Sequence, residues 1–360
     1  MKLTETAKAY ARLTRFQTVP LEMVPATVGA VVATGGPFNT QVLSWAVFGM
    51  LYHLVGYGQN SLEDWKRGWD TDDPNKQHHP LNAGRIPQRT AELFVYGLFA
   101  VLILYTTVIA SNWVALVLLL TGPVLCGTLY NTVGKRTRWK FLFIAYSHTT
   151  VFALPYYSIT GAVDPLLLLG SLYVFASIVF QIAVSGEIKD ITQDEANFLR
   201  ELGARVEPGR DGHRIEFSWA GQLFAYGIRS VTVALGIAFG YVVGQQFGRA
   251  GPTLFGSGVT ESQGESPRLQ SWVNVKEVTL AGIGALSVIL TWSMLQSGPS
   301  DRTERIATMM QVEICSALML LVAVVPIIGV STVAVLSVAS GTWVMVFNKL
   351  EWGRLIAPAV

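Results

Sequence analysis

Apolar stretches of roughly twenty residues recur from one end of this chain to the other, and no other feature constrains its fold so tightly. They lie at about 20–36, 39–58, 90–110, 112–130, 140–162, 164–186, 219–246, 277–296, 306–326 and 329–348. A bilayer core demands about 20 residues of helix, so each run is long enough to span it. The last two runs can also be divided differently, which leaves nine spans as the alternative to ten. Only 14% of the residues are charged, against about 25% in soluble domains. The chain therefore reads as a single all-α integral-membrane domain over 1–360, a polytopic helical bundle of nine to ten transmembrane helices.

Charge placement orients that bundle. Of the 26 Lys and Arg, 22 fall before the first run or after an even-numbered one. Arg249, Arg268 and Lys276 fall on the other side, and Arg229 lies inside the seventh run. Positive charge collects on the cytoplasmic face of membrane proteins, so both termini and the even-to-odd loops are expected in the cytoplasm. Ten spans suit this better than nine, which would place Lys349 and Arg354 outside. The formal net charge of +2 gives no reason to expect a nucleic-acid partner. Cys126 and Cys315 both sit in apolar runs, which argues against a disulfide framework or a cysteine metal site. The first 20 residues have mixed charge and no apolar core before a cleavage site, so they do not read as a signal peptide. The Gly-, Ser- and Pro-rich segment 248–277 reads as an outer surface loop.

Two cytoplasmic loops, 58–89 and 187–218, are rich in acids. The first opens NSLEDWKRGWDTDDPNK, with Asn60 and Asp64 four residues apart. If the second span continues as helix, they share one face. Gly68 reads as a break, and Asp70, Asp72 and Asp73 follow it. The second loop, GEIKDITQDEANF, repeats the spacing with Asp190 and Asp194, flanked by Glu187, Lys189 and Glu195. An acidic loop on its own is usually a solvated surface. Two on one side, with the same spacing and each at the end of a span, suit another task. Mg²⁺ takes oxygen ligands, and at phosphate sites it uses one or two carboxylates plus the substrate's own oxygens. Two such sets can each seat an ion on one diphosphate, and Asn60 can add an amide oxygen.

These loops resemble those of the UbiA superfamily of intramembrane prenyltransferases. That family carries an NDxxDxxxD-type motif after its second helix and a DxxxD motif after its sixth; here Asn60 to Asp64 and Asp190 to Asp194 stand in those places. NSLEDWKRGWDTDD is especially similar to the variant in the menaquinone-pathway branch. The run DDPNKQHHPLNAG (72–84) looks like another family signature, with His79 where Arg is usual. LYNTVGKRTRWK (129–140) is similar to the Tyr then Lys-Arg pattern after helix four, and LTRFQTVPLEMVPATVGA (13–30) to the first-helix entry. The likeness in order and spacing covers about residues 12–205. Three departures stand out: Ser61 replaces an Asp, Gly68 stands where the third acid is expected, and Ser185 replaces a tyrosine. Asp70 is the expected substitute for the displaced acid, ahead of Asp72 and Asp73.

The resemblance implies a UbiA-like fold, an allylic prenyl diphosphate donor and an aromatic or quinone-precursor acceptor. It implies Asn60, Asp64, Asp190 and Asp194 as catalytic metal-holding residues. Lys135, Arg136 and Lys189, then Lys66 and Arg67, are the expected diphosphate partners. The cation formed on ionisation needs a dry aromatic chamber, for which Trp45, Tyr52, Tyr146 and Phe152 are candidates, with His53 beneath the metal site. Tyr96, Tyr156 and Tyr157 are further aromatics of the same spans. His148, Gln181, Arg229, Gln311 and Glu313 are polar groups inside spans, and Arg229 and Glu313 are expected to pair. A terpene cyclase using the same metal–diphosphate site is the alternative to a transferase. A transporter with an acidic vestibule is a third reading, which predicts acids spread through the spans rather than gathered at one surface.

Overall fold

Helix boundaries follow the capping chemistry the sequence supplies. Asn39, Asn112 and Asp164 each accept a hydrogen bond at 2.9 Å from a backbone N–H three residues on, which starts a helix. Gly35 and Gly161 close helices in the left-handed conformation. In this computed structural model the chain is described over residues 3–36, 38–68, 79–189, 191, 196–209, 212–247, 267–296 and 302–352. Its helices are α1 (Leu3–Leu13), α2 (Val19–Thr34), α3 (Thr40–Lys66), α4 (Gln88–Ile109), α5 (Trp113–Leu119), α6 (Gly127–Thr132), α7 (Lys140–Thr160) and α8 (Pro165–Phe180). They continue as α9 (Glu187–Lys189), α10 (Phe198–Glu201), α11 (Trp219–Phe247), α12 (Pro267–Leu295), α13 (Arg302–Ala323), α14 (Val325–Ile328) and α15 (Val330–Trp352).

The ten apolar runs correspond to α2, α3, α4, α5–α6, α7, α8–α9, α11, α12, α13 and α15. By length and composition, seven described helical segments can cross a membrane, lying in α2, α4, α5–α6, α8–α9, α11, α12 and α15. α3 and α7 are more polar along their inner faces, and the apolar part of α13 is the shorter Thr308–Ala323. The last two runs are separate helices, with Gly329 at φ 79° between them. A two-stranded antiparallel hairpin, β1 (Arg205–Gly209) and β2 (Gly212–Glu216), pairs Val206 with Ile215. The all-α expectation missed it because its 12 residues carry no apolar run.

Small residues set the closest helix contacts, as they do where packing alone drives association. A Cβ on Gly49 of α3 would lie 2.8 Å from the Glu22 carbonyl of α2. One on Gly29 of α2 would lie 2.5 Å from the Phe152 carbonyl of α7. α2 is thus pressed between α3 and α7, the helices that lead to the acidic end. α1 crosses that end, where Leu13 and Ala9 bury against Leu62, Leu81, Ile86 and Val95. It is stitched to α15 by the Arg12 guanidinium on the Glu351 carbonyl. Trp343 Nε1 donates to the Phe16 carbonyl at 3.1 Å beside that junction.

Two segments leave α-helical geometry, Leu120–Cys126 between α5 and α6, and Gln181–Gly186 between α8 and α9. Both are π-helical, a distortion that gathers at functional sites. Each lies just before the residues that enter the acidic end, Lys135 in one case and Lys189 in the other.

Candidate active site

α3 runs on as helix to Lys66, two turns past the expected end of its span. Asn60 and Asp64 therefore share one face, and Asn60 Nδ2 donates to Asp64 Oδ2 at 3.1 Å. Leu62 between them points the other way and is fully buried under α1 and α4, which fixes the rotation of the helix. Gly68 then takes a φ of 76°, a left-handed turn that ends the helix where the sequence suggests.

Lys135 reaches Asp64 from the connection between α6 and α7, and its Nζ pairs with Asp64 Oδ1. That carboxylate is 6% exposed. The ammonium also stands 5.8 Å from the centre of the Tyr130 ring. Behind the pair, Asn131 Nδ2 donates to Gln59 Oε1 at 3.3 Å, and Gln59 Nε2 donates to Thr128 Oγ1 at 3.4 Å. These bonds tie α6 to α3 and hold the connection in register. Asn60 and Asp64 offer hard oxygen donors on one helix face, with a cation beside them, and this donor set fits Mg²⁺. Asp70, Asp190 and Asp194, with Asp72 and Asp73, lie outside the described residues. Among the described residues no three His, Cys, Asp or Glu side chains gather as a metal cluster.

The other expected diphosphate partners divide. Lys66 turns outward, to Glu92 at 3.0 Å and Glu63 at 3.4 Å, and lies over the exposed Tyr96 ring. Arg67 stands 3.9 Å from Glu63 on the same helix. Lys66 is thus engaged on the side of α3 that faces α4. Arg136 is exposed, and Lys189 is half-buried at the end of α9.

Glu187, which the sequence offers only as a flanking acid, is built deep into the second motif. It is 1% exposed, and its Oε1 lies 2.7 Å from Lys140 Nζ at the start of α7. Its Oε2 accepts from the Phe198 backbone N–H at 2.7 Å, and its carbonyl accepts from Asn197 Nδ2 at 2.8 Å. Ile191, inside the Asp190 to Asp194 motif, buries with Ile188, Leu199, Ile215 and Phe217. The hairpin joins this cluster through Ile215.

Deeper in the bundle, a polar chain joins α2, α7 and α3. His148 Nε2 lies 2.9 Å from Glu22 Oε1, and His148 Nδ1 lies 2.9 Å from Tyr52 Oη. Tyr52 Oη also lies 2.8 Å from Ser147 Oγ. Sequence reading found His148 and Tyr52 but not Glu22, a lone acid in the first turn of a run otherwise apolar. Tyr52 is eight residues before Asn60, about 12 Å along the helix. His53 turns to the chain entry instead, where its Nε2 bonds the Arg15 carbonyl at 3.0 Å. Arg15 is the one described non-glycine residue with positive φ, at 48°, and its guanidinium stands 5.1 Å over the Tyr57 ring. Nothing in the sequence marks Arg15 beyond its positive charge; the signal is its proximity to Tyr57, one turn below Asn60.

The remaining expected residues take different places, and one expected pair is corrected. Tyr146 is 38% exposed and bonds Thr121 Oγ1 at 3.0 Å; two residues before His148, it points to the opposite side of α7. Trp45 and Phe152 are buried in the bundle. Trp45 meets the Phe48 ring edge-on at 5.5 Å, and Phe152 fills the space left by Gly170. Arg229 does not pair with Glu313. It bonds Ser287 Oγ at 3.0 Å and Ser316 Oγ at 2.8 Å and covers the Phe180 ring, while Glu313 bonds Gln181.

Comparison with known proteins agrees with this architecture. The chain matches the model of the UbiA prenyltransferase family over residues 23–250. Its fold is similar to a UbiA homolog from Archaeoglobus fulgidus solved with GPP and Mg²⁺, at 17% identity and a TM-score of 0.56, covering 89% of this chain and 99% of that one. It is similar to the apo UbiA homolog from Aeropyrum pernix K1, at 14% identity and a TM-score of 0.57, covering 85% and 96%. A digeranylgeranylglyceryl phosphate synthase matches at 16% identity and a TM-score of 0.53, covering 88% and 99%. No curated protein matches by sequence. The family model covers more than half of the chain, and the chain belongs to the UbiA prenyltransferase family.

Proposed function

We propose that this protein is a Mg²⁺-dependent intramembrane prenyltransferase that ionises an allylic prenyl diphosphate and passes the prenyl group to an aromatic or quinone-like acceptor. The observation that carries the reading is the buried Asp64 carboxylate, aligned with Asn60 at the end of α3 and met by Lys135, in a chain of this family. Relatives of the same fold bind GPP or DMAPP with Mg²⁺, which supports a prenyl diphosphate as donor here.

The chain's own groups divide the work. Asn60, Asp64 and Asp70 would hold one ion, and Asp190 and Asp194 a second. Bound Mg²⁺ supplies positive charge to the diphosphate oxygens, so that they leave as a weaker base. Lys135, Arg136 and Lys189 add fixed positive charge where negative charge grows during bond breaking. The allylic C–O bond breaks, and its electron pair leaves with the diphosphate. The acceptor then bonds the allylic carbon and gives up one proton. Tyr52 and His53 lie on the stretch of α3 beneath the motif, where the apolar tail enters. The acidic loops and both termini are placed in the cytoplasm on the strength of the charge asymmetry.

The test incubates purified protein with Mg²⁺ and prenyl diphosphates of several lengths, with and without aromatic acceptors. Acceptor-dependent diphosphate release with a prenylated product is the expected result. Release with a cyclic hydrocarbon or alcohol and no acceptor would instead make the protein a terpene cyclase. Absence of release with every donor would overturn both. Asp64→Ala, Asp190→Ala and Asp194→Ala are each expected to abolish turnover in folded protein, and full activity in any one removes that residue from the metal set.

A further inference from the structure

The lysine that opens α7 is buried against an acid. Lys140 is 6% exposed, and its Nζ lies 2.7 Å from the Glu187 carboxylate. Two long charged side chains are thus removed from water at the membrane boundary, where apolar residues would pack as well or better. Such a pair needs a reason beyond stability.

Its position supplies one. Glu187 stands three residues before Asp190, and the groups that bond it, the Asn197 side chain and the Phe198 N–H, follow Asp194 by three and four residues. Asn197 is itself 1% exposed, and its Oδ1 accepts from the Arg200 N–H at 3.1 Å, which starts α10. The Glu187 carboxylate therefore ties both ends of the second acidic motif to each other and, through Lys140, to α7. Ile191 is buried within the same motif and pins its middle. The connection that carries Lys140 also carries Lys135, the partner of Asp64. One short segment, 134–140, thus pairs with Asp64 of the first motif and with Glu187 beside the second.

We infer that the Lys140–Glu187–Asn197 clamp is a positioning device that sets the second acidic motif at its working distance from the first. Glu187 is a positioning residue here and not a metal ligand. The inference rests on the reading of Asp190 and Asp194 as metal-holding groups. Groups that orient metal ligands commonly cost about 10- to 100-fold in metal affinity when altered, and this sets the expected size of the effect.

The experiment compares full-length wild type with Glu187→Gln, with the double variant Lys140→Met/Glu187→Met and with the control Glu201→Gln. The control removes the charge partner of Arg138 in an exposed pair from the same connection. Mn²⁺ binding to the purified protein is followed by electron spin resonance, Mg²⁺ half-saturation by diphosphate release, and folding by thermal unfolding. Glu187→Gln keeps an oxygen for the Phe198 N–H, the double variant removes both charges of the pair, and the unfolding measurement shows which of them folds. The expected result is weaker binding of Mn²⁺ and a raised Mg²⁺ requirement, each by about 10- to 100-fold, with turnover largely restored at saturating metal. Glu201→Gln leaves all three readouts unchanged. Unaltered Mn²⁺ binding in a folded variant would overturn the clamp, and a loss of thermal stability alone would reduce it to a structural pair. A wild type that binds Mn²⁺ but releases no diphosphate would overturn the proposed function, while the Mn²⁺ comparison still judges the clamp.

Discussion

The two acidic motifs share one spacing and are held in different ways. The first rides on α3, an unbroken helix of 27 residues, with Leu62 buried behind Asn60 and Asp64. The second is entered through a π-helical turn and the single turn of α9, and rests on Ile191, the hairpin and Glu187. Their lysines differ in the same sense. Lys135 takes the motif acid itself, whereas Lys140 pairs with Glu187, three residues before Asp190. A repeated pattern in sequence therefore conceals two kinds of support: a rigid helix face in one motif, and tertiary tethers in the other.

The strongest way to break this comparison removes each lysine in turn. Lys140→Met removes one member of the buried Lys140–Glu187 pair, a change that costs about 3–5 kcal/mol. A large fall in thermal stability in detergent is expected, ahead of any specific effect on turnover. Lys135→Met removes a cation at the edge of the site, beside a carboxylate that metal can also neutralise. Its loss is expected mainly in turnover, by about 10²–10³-fold as for other donors to developing negative charge, with little change in unfolding temperature. The reverse result, a stable Lys140→Met with lost turnover and an unstable Lys135→Met with full turnover, would invert the assignment of the two lysines.

How far the sequence reveals this follows from the same physics. Apolar run length reports helices directly, because the bilayer fixes it, and all ten runs recur as helices of the fold. The i, i+4 relation of Asn60 and Asp64 was legible because α3 is one continuous helix, and Gly68 because a left-handed end favours glycine. Glu187 reads only as a flanking acid, because nothing local distinguishes an acid that meets a lysine 47 residues away in sequence. Tyr146 and His148 are two residues apart, and choosing between faces requires knowing which neighbours α7 has. Arg229 was paired with the one acid of a nearby span, but three-dimensional packing put two serines within reach instead. Local chemistry was readable, and long-range partners were not.

A smaller effect probes the end of the rigid motif. Gly68 sits at φ 76°, where an L-residue pays about 1–2 kcal/mol. Gly68→Ala is expected to lower stability by that amount, and to weaken the metal dependence of turnover only if the turn directs Asp70 to the site. Gly68→Asn, which tolerates the left-handed region better, is expected to recover most of the loss. Equal penalties for the two would show that the side chain's bulk, not the backbone, is at fault.

The smallest expected effect is also the most useful control on the comparison. Arg138 lies in the 134–140 connection between the two lysines, and pairs with Glu201 at 3.0 Å with both side chains about half exposed. Exposed pairs of this kind contribute about 0–1 kcal/mol, so Arg138→Ala is expected to leave stability and turnover nearly unchanged. If it instead mimicked Lys135→Met, the connection would act through its summed positive field rather than through individual partners, and the contrast between Lys135 and Lys140 would lose its basis. Raising the salt concentration separates the two cases, because a long-range field at an exposed surface is screened over about 8–10 Å, whereas the buried Lys140–Glu187 contact is not.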